Sequence, residues 1–358
     1  MGYELAPDRT LPDELRRVAA EELDGAVERL VGPGDGDRVA AVHESRKHFK
    51  KARSVLRLAR GELGDRTYRR ENARLREAGN KLSDVRDAHV AGQTLDKLTE
   101  RFAAELPADA FAGVHRELAE RRRRASERLD GADSPVQDVV AIVRRARERV
   151  PEWPLDRERW RVVGAGLRRQ YTRGARRFAQ ARRDPTARNL HEWRKRVKDL
   201  WYHLRLLRPV WPGVMDELAD RAHDLSDRLG DDHDLSVLRE ALDEAPGDFG
   251  DPAEVSALLD LVDRRRAELG LAAGRLGRRL YADEPDVFDR RMKAYWKAAR
   301  AEAADPPTAP VGVPLVVVTP TGQRFHRPGC PFAGAHAESV GREEAERREL
   351  RPCGSCAP

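Results

Sequence analysis

The chain is poor in aromatic side chains, which make up 6% of its 358 residues, and it has only three cysteines. So few aromatic and alternating β-branched residues argue against a β-rich fold, except near the C-terminus. No apolar run approaches the ~18 residues of a membrane-spanning helix. The first residues, MGYELAPDRTLPDELRR, lack the basic-then-apolar order of an export signal. Gly2 prompts a check for lipidation, but Ala6 stands where that pattern requires Ser or Thr. An odd number of cysteines, all at or beyond Cys330, does not make a disulfide framework. A reducing cytoplasm and a metal site fit them better. A Gly-rich phosphate loop, a Walker-type Lys and paired acids able to hold Mg²⁺ beside the basic residues are also missing, which argues against an enzyme.

What the chain has is charge. Asp, Glu, Lys and Arg make up 36% of it, yet the formal net charge is only +6. Anion binding would therefore have to come from local segregation of charge and not from a bulk field. Ala, Leu and Arg are abundant, which favours helices, and the length allows about two domains with cores of their own.

Segregation is visible in a repeat. VHESRKHFKKARSVLRLAR, from Val42, matches LHEWRKRVKDLWYHLRLLR, from Leu190. His43, Arg46, Lys47, Lys50 and Arg57 pair in register with His191, Arg194, Lys195, Lys198 and Arg205. On a helical wheel these cations fall within an arc of about 100°. Leu190, Trp193, Val197, Leu200, Leu204 and Leu207 cluster roughly 130° away, as do Val42, Phe49, Ala52, Leu56 and Ala59 in the first copy. Glu44, Glu192 and Asp199 fall at or beyond the margins of the arcs, where they are expected to leave the middle uncancelled. Most charge runs are solvated faces, but a solvated face has no reason to recur in register. The histidines lie within the cationic arcs, and no ligand partners stand at metal spacing on that face.

The repeat extends further. KLSDVRDAHV from Lys81 matches RLGDDHDLSV from Arg228, so Arg74 and Lys81 correspond to Arg221 and Arg228. Asp87 and Asp234 recur too, and each reads as a helix cap or an ion-pair partner for an Arg. Helices are expected from Leu15 to Leu30, through both basic segments, and at about 68–82, 82–98, 109–129, 135–149, 157–183, 213–229, 231–244, 252–281 and 285–302. GPGDGD at 32–37 and PEWP at 151–154 read as breaks, and DPT at 184–186 as a turn capping the second basic helix. Arg169, Arg173 and Arg176 face Glu21, Gly25 and Glu28 of the other copy, so an anion path here would be asymmetric.

The H-E-x-R-K-x-x-K pattern, its duplicate, and GLRRQYTRGARRFAQARRDPTARNLHEWRKRVKDLWYHLRLL at 166–207 resemble the CHAD domain, the conserved-histidine α-helical domain, over roughly residues 10–302. The resemblance implies an all-α fold of two pseudo-symmetric four-helix bundles, with halves at about 10–150 and 155–302. It also implies a basic groove or pore that binds inorganic polyphosphate, often at polyphosphate granules. His43, Arg46, Lys47, Lys50 and Arg57 would line one side, and His191, Arg194, Lys195, Lys198 and Arg205 the other. Trp201 in place of Arg53, and His233 in place of Arg86, depart from the pairing and put contacts there in question. The EXEXK signature of the phosphohydrolase often joined to such domains is absent.

Polyphosphate has a charge on every unit and no bases, which suits Arg forks and Lys point charges. Nucleic acid is the competing ligand, because backbone recognition uses the same side chains. Stacking platforms for single strands would need aromatics on the basic face, whereas Trp193 and Trp201 lie with or beside the apolar stripe. An acidic protein partner is a third alternative.

After a Pro-rich linker at 304–314, LVVVTPTGQRFHRPGC reads as a hairpin around a Thr-Gly turn. His326, Cys330, Cys353 and Cys356, spaced H-x₃-C…C-x₂-C, offer four donors of the kind tetrahedral zinc takes, with His336 a less favoured substitute for His326. A small α+β module at 315–358 would need such a staple. It resembles the small metal-binding domain of the Ada methyl-phosphotriester repair proteins. There the first ligand is the methyl-accepting Cys; His326 stands in that place here, so the resemblance implies a structural zinc and no methyl transfer.

Overall fold

The structure is a computed structural model. It describes the chain except residues 1, 33–37, 108, 132–133, 305–314, 320–321, 334–336 and 357–358, and except the side chains at 84–86 and 130. The GPGDGD break after Gly32, the linker beyond residue 304, Thr321 of the expected turn, the Arg86 side chain and His336 thus lie outside the described residues. The chain divides into two compact units, Met1–Arg300 and Ala301–Pro358.

The first unit is all-helical. Its helices are α1 (Leu11–Val31), α2 (Arg38–Leu58), α3 (Arg60–Lys81), α4 (Ser83–Arg101), α5 (Ala112–Asp130), α6 (Val136–Glu148), α7 (Arg161–Arg183), α8 (Ala187–Leu206), α9 (Pro212–Glu244), α10 (Pro252–Leu280) and α11 (Pro285–Ala304). None of the described helices is long and apolar enough to cross a membrane. Local chemistry fixes several starts. Thr10 and Thr186 accept the N–H groups of Asp13 and Asn189, so the DPT turn does cap the second basic helix. Two expectations need correction. The helices expected at 213–229 and 231–244 are one continuous α9. The helix expected from Tyr68 begins at Arg60, with a kink at Gly64, whose φ of 72° suits glycine.

Duplication is plain in the order of elements: α1 and α2 correspond to α7 and α8. The broken pair α3–α4 corresponds to the unbroken α9, and α5–α6, interrupted near Gly131, to the unbroken α10. One core gathers α1, α2, α3 and α6, together with parts of α7, α8, the start of α9 and α11. A second forms from Phe178, Trp193, Val197, Leu225, Leu229 and their neighbours, within the second half. A third belongs to neither half: Leu95, Leu98 and Phe102 of α4, with Val114 and Leu118 of α5, pack on Leu235, Leu238, Leu242, Val255 and Leu258 of α9 and α10. The arms of the two bundles thus share a core.

At the other meeting place the C-terminal halves of α2 and α8 cross with opposite chain directions. His203, fully buried on α8, contacts the Ser54 carbonyl through Nε2 at 3.1 Å, and Arg57 pairs with Asp199 at 3.1 Å. On α7, Gly166 lets the last turn of α2 come close: a Cβ there would stand 1.9 Å from the carbonyl oxygen of Leu58. The N-terminal segment ties in through the Leu5 N–H, which donates to the Leu206 carbonyl at 2.8 Å.

The second unit is a four-stranded sheet in the order β3-β1-β2-β4. It comprises β1 (Leu315–Val318), β2 (Arg324–His326), β3 (Glu338–Gly341) and β4 (Arg351–Pro352), with the short helix α12 (Arg342–Arg347). The expected hairpin is present as antiparallel β1–β2. Its apolar content is small, centred on Val316, Val318, Phe325 and Ala345.

Gly166→Ala must part α2 from α7, because its obstacle is backbone and cannot rotate away. A loss of about 3 kcal/mol or more in unfolding free energy is expected by denaturant titration, whereas Gly213→Ala, with open space at its Cβ position, should change it little.

Candidate functional site

The two basic stripes lie on α2 and α8, on the stretches that lead to and include the crossing. His43 and Lys47 are exposed; Arg46, Lys50 and Arg57 are half-buried. Arg46 donates from Nη1 to the carbonyl of Gly79 on α3, which fixes that guanidinium beside the helix. Lys47 pairs with Glu44 at 2.7 Å, and Lys195 with Glu192 at 2.7 Å, the same contact in the same register of the repeat. These acids therefore engage the stripes where they were expected to stand clear. Asp199 corrects that expectation most strongly. It is buried and bridges Arg57 at 3.1 Å and Arg196 at 3.0 Å, joining the halves through a carboxylate.

On α8 the His191 ring lies against His233 of α9, with centroids 3.9 Å apart, and its buried Nδ1 has no hydrogen-bond partner. Burial first, then Lys195 and Arg194, push its pKa down to about 4. Arg194 lies over Gly230, where an added Cβ would stand 3.0 Å from Nη2. Lys198 and Arg205 lie over the half-buried Trp201 ring, at 5.7 and 5.2 Å from its centroid. Here the second copy has an aromatic ledge where the first has Arg53 bonded to Asn72 at 3.0 Å.

The flanking cations divide. Lys81 turns to Asp138 of α6 at 2.9 Å. Arg221 is held by Glu217 and Asp224. Arg74 stands 3.9 Å from the buried Glu71, a carboxylate that Arg149 also grips with two hydrogen bonds. Arg169, Arg173, Arg176 and Arg228 have no ion pair among the described residues, and Arg169 Nη1 is buried without a hydrogen-bond partner. Arg53, Arg60 and Arg196 stand outside the set expected from the repeat, because they lack a cationic counterpart or lie off the stripe. Only the density of Arg between 53 and 60 could have flagged the first two.

The model of the CHAD domain matches residues 15–243. The chain belongs to the CHAD domain family. It is also similar to the crystal structure of the CHAD domain from the plant Ricinus communis, with a TM-score of 0.54 and 17% identity, over 79% of this chain and 94% of that one. At that identity the likeness speaks for the fold. No curated protein matches the chain. For this CHAD domain, then, the family match spans both basic helices, while the stripes, the Asp199 bridge and the Trp201 ledge are read from its own side chains.

The second unit holds a distinct cluster. His326, Cys330, Cys353 and Cys356 present their ligand atoms within 4.8 Å of one another. A tetrahedron with bonds of about 2.3 Å has edges of about 3.8 Å, so these donors need only a small contraction. His326 ends β2, and Gly329, at φ 80°, turns the chain so that Cys330 Sγ comes 3.4 Å from His326 Nδ1. Cys353 follows β4, tied by its N–H to the Phe325 carbonyl at 2.9 Å. The backbone N–H groups of Ser355 and then Cys356 hold the Cys353 thiol below its usual pKa. Burial raises that of Cys356, whose sulfur accepts the Arg327 N–H at 3.2 Å. Such N–H groups stabilise thiolates, the form that binds a cation. All four expected ligands come together.

His203 and His191 have pKa values lowered to about 4 from an ordinary 6.5, by burial first. The unfolded chain therefore binds protons that the folded one refuses, and this part of the stability is lost as pH falls from 6.5 towards 4. Denaturant unfolding at pH 7.0, 5.5 and 4.5 should show that decline, by at most about 1.4 kcal/mol per pH unit for a fully buried His. His203→Gln should flatten it.

Proposed function

We propose that the helical unit binds inorganic polyphosphate, without turning it over, through the stripes of α2 and α8. The observation that carries this reading is the in-register pair of cationic faces, His43 to Arg57 and His191 to Arg205, on the duplicated helices of a CHAD fold. Guanidinium and ammonium groups there outnumber carboxylates, and Glu44, Glu192 and Asp199 are already committed to cations. They are poorly placed to hold Mg²⁺ for phosphoryl transfer. Burial is the main cause of the low His191 pKa, and a polyanion on the stripe would offset the smaller contribution of Lys195 and Arg194 and so favour a proton on it. Targeting to polyphosphate granules in the cytoplasm is the localisation this chemistry suits. The reading also includes zinc as the metal of the C-terminal cluster. An imidazole with three thiolates is a closed tetrahedral set, the kind that staples a module and leaves no position open for catalysis.

Long-chain polyphosphate is expected to outcompete duplex and single-stranded DNA, with affinity falling steeply with salt through counterion release. Charge reversal at Arg46, Lys50, Arg194 and Lys198 together should reduce binding by at least a hundredfold while helicity by circular dichroism is kept. Binding that persists would overturn the assignment, and a preference for DNA would replace polyphosphate with nucleic acid.

Metal analysis of the purified full chain should find about one equivalent of zinc. Cys353→Ser or a strong chelator should remove it and expose the C-terminal unit to proteolysis, leaving the helical unit's unfolding unchanged.

A further inference from the structure

At the crossing of the two bundles, four arginines from three helices gather around one carboxylate. Arg57 and Arg196 share Asp199, and their side chains are 14% and 17% exposed. Arg53, one turn before Arg57, has an uncharged partner, Asn72. Burial, and then the charge of Arg57, lower its pKa to about 10. Arg173 approaches from α7. Among the described residues it has no hydrogen bond or ion pair, and it lies near enough to Arg196 and Asp199 for both to act on its titration. Tyr68 acts on both Arg53 and Arg173 from the α3 side. Arg60 closes the rim, held by Asp65 at 2.8 Å.

The balance of charge is the informative point. A partly desolvated cation is costly unless an anion meets it. Here Asp199 is shared by the half-buried Arg57 and Arg196, the half-buried Arg53 brings a third such cation, and the exposed Arg173 adds a fourth charge. The repeat does not require this. At the positions equivalent to Arg53, Asp199 and Arg196 the other copy has Trp201, Lys51 and His48. Lys51 and His48 meet the buried Glu22 at 3.0 and 2.6 Å, while Arg205, the counterpart of Arg57, lies over the Tyr3 and Trp201 rings. One side of the pseudo-twofold thus carries fewer cations for its buried acid than the other does for Asp199.

We infer that the Arg53–Arg57–Arg173–Arg196 junction is a site for one doubly charged tetrahedral phosphate group, the terminal phosphate of a polyphosphate chain. A terminal group carries about −1.5 to −2 at neutral pH, as a phosphomonoester does, against one charge on each internal unit. The forked donors of Arg match its oxygens. Arg53 and Arg57 continue the α2 stripe, so a chain along that stripe delivers its end here. Binding then has a direction: the end group enters on the α3/α7 side, and the Trp201 side takes internal units. This rests on the polyphosphate reading for its ligand, but the site is testable without it.

The test compares polyphosphate of about ten units with free ends against the same material with its terminal phosphates capped as phosphoramidates. Both are titrated into the full chain and into Arg173→Gln, a substitution that breaks no hydrogen bond or ion pair among the described residues. The expected result is that capping weakens binding to the native chain at least tenfold and leaves binding to Arg173→Gln unchanged. Arg53→Gln, checked for folding by circular dichroism, is expected to behave in the same way. The inference is overturned if capping has no effect on the native chain, or if Arg173→Gln still discriminates. Long-chain binding with no response to capping would leave the function standing and remove the end site. If long chains do not bind at all, inorganic pyrophosphate decides. Saturable binding that Arg173→Gln weakens tenfold supports an oxyanion site at the junction, and no binding overturns it.

Discussion

The close crossing of α2 with α7 and α8 is the constraint on which the rest of this molecule depends. Three unlike contacts meet there. Gly166 gives up its side chain to the backbone at Leu58, His203 gives a buried imidazole to the Ser54 carbonyl, and Asp199 sits between Arg57 and Arg196. Each is costly alone: a glycine within a helix, a neutral histidine in the core, an ion pair largely out of water. Together they fix the approach of two helices whose other faces carry like charge. Without that approach the stripes would be ordinary solvated faces, which are weak places to hold a polymer.

The arms set the opposite limit. Because α4 and α5 complete a core with the outer parts of α9 and α10, the bundles meet at two places, and the stripes are held between fixed points. Electrostatics then acts on a preformed arrangement. Lys47 and Lys195 are each steadied by an acid one turn earlier, and Arg46 by a carbonyl of α3, so several cations are ordered before any ligand arrives. Ordering beforehand lowers the entropy lost on binding.

Much of this was legible in the sequence because it is periodic. Apolar spacing located most of the helices, the His-led repeat located the stripes, and H-x₃-C…C-x₂-C located the four ligand atoms that meet in the C-terminal unit. What escaped depends on partners far apart in the chain. Asp199 reads as a marginal acid on the wheel, because nothing local tells that Arg57 will reach it across the crossing. Lys81 and Arg221 have the right spacing, but Asp138, Glu217 and Asp224 engage them. A break between helices was expected near Gly230, where glycine instead makes room for the Arg194 guanidinium and α9 runs on unbroken. Arg53 and Arg196 fall outside the paired cations because the other copy has Trp201 and His48 there, and that lack of symmetry is where the charge imbalance arises.

The shared core of the arms has an evolutionary consequence. A single copy of the repeat would expose the apolar faces that Leu95, Leu98 and Phe102 on one side, and Leu235, Leu238 and Leu242 on the other, now hide from water. A one-repeat chain with these faces would bury them by pairing with a second copy of itself, as an isologous dimer does. Joining the copies in one chain makes that association intramolecular. It also frees the two halves to differ, as Glu22 and Gln170 do at equivalent positions.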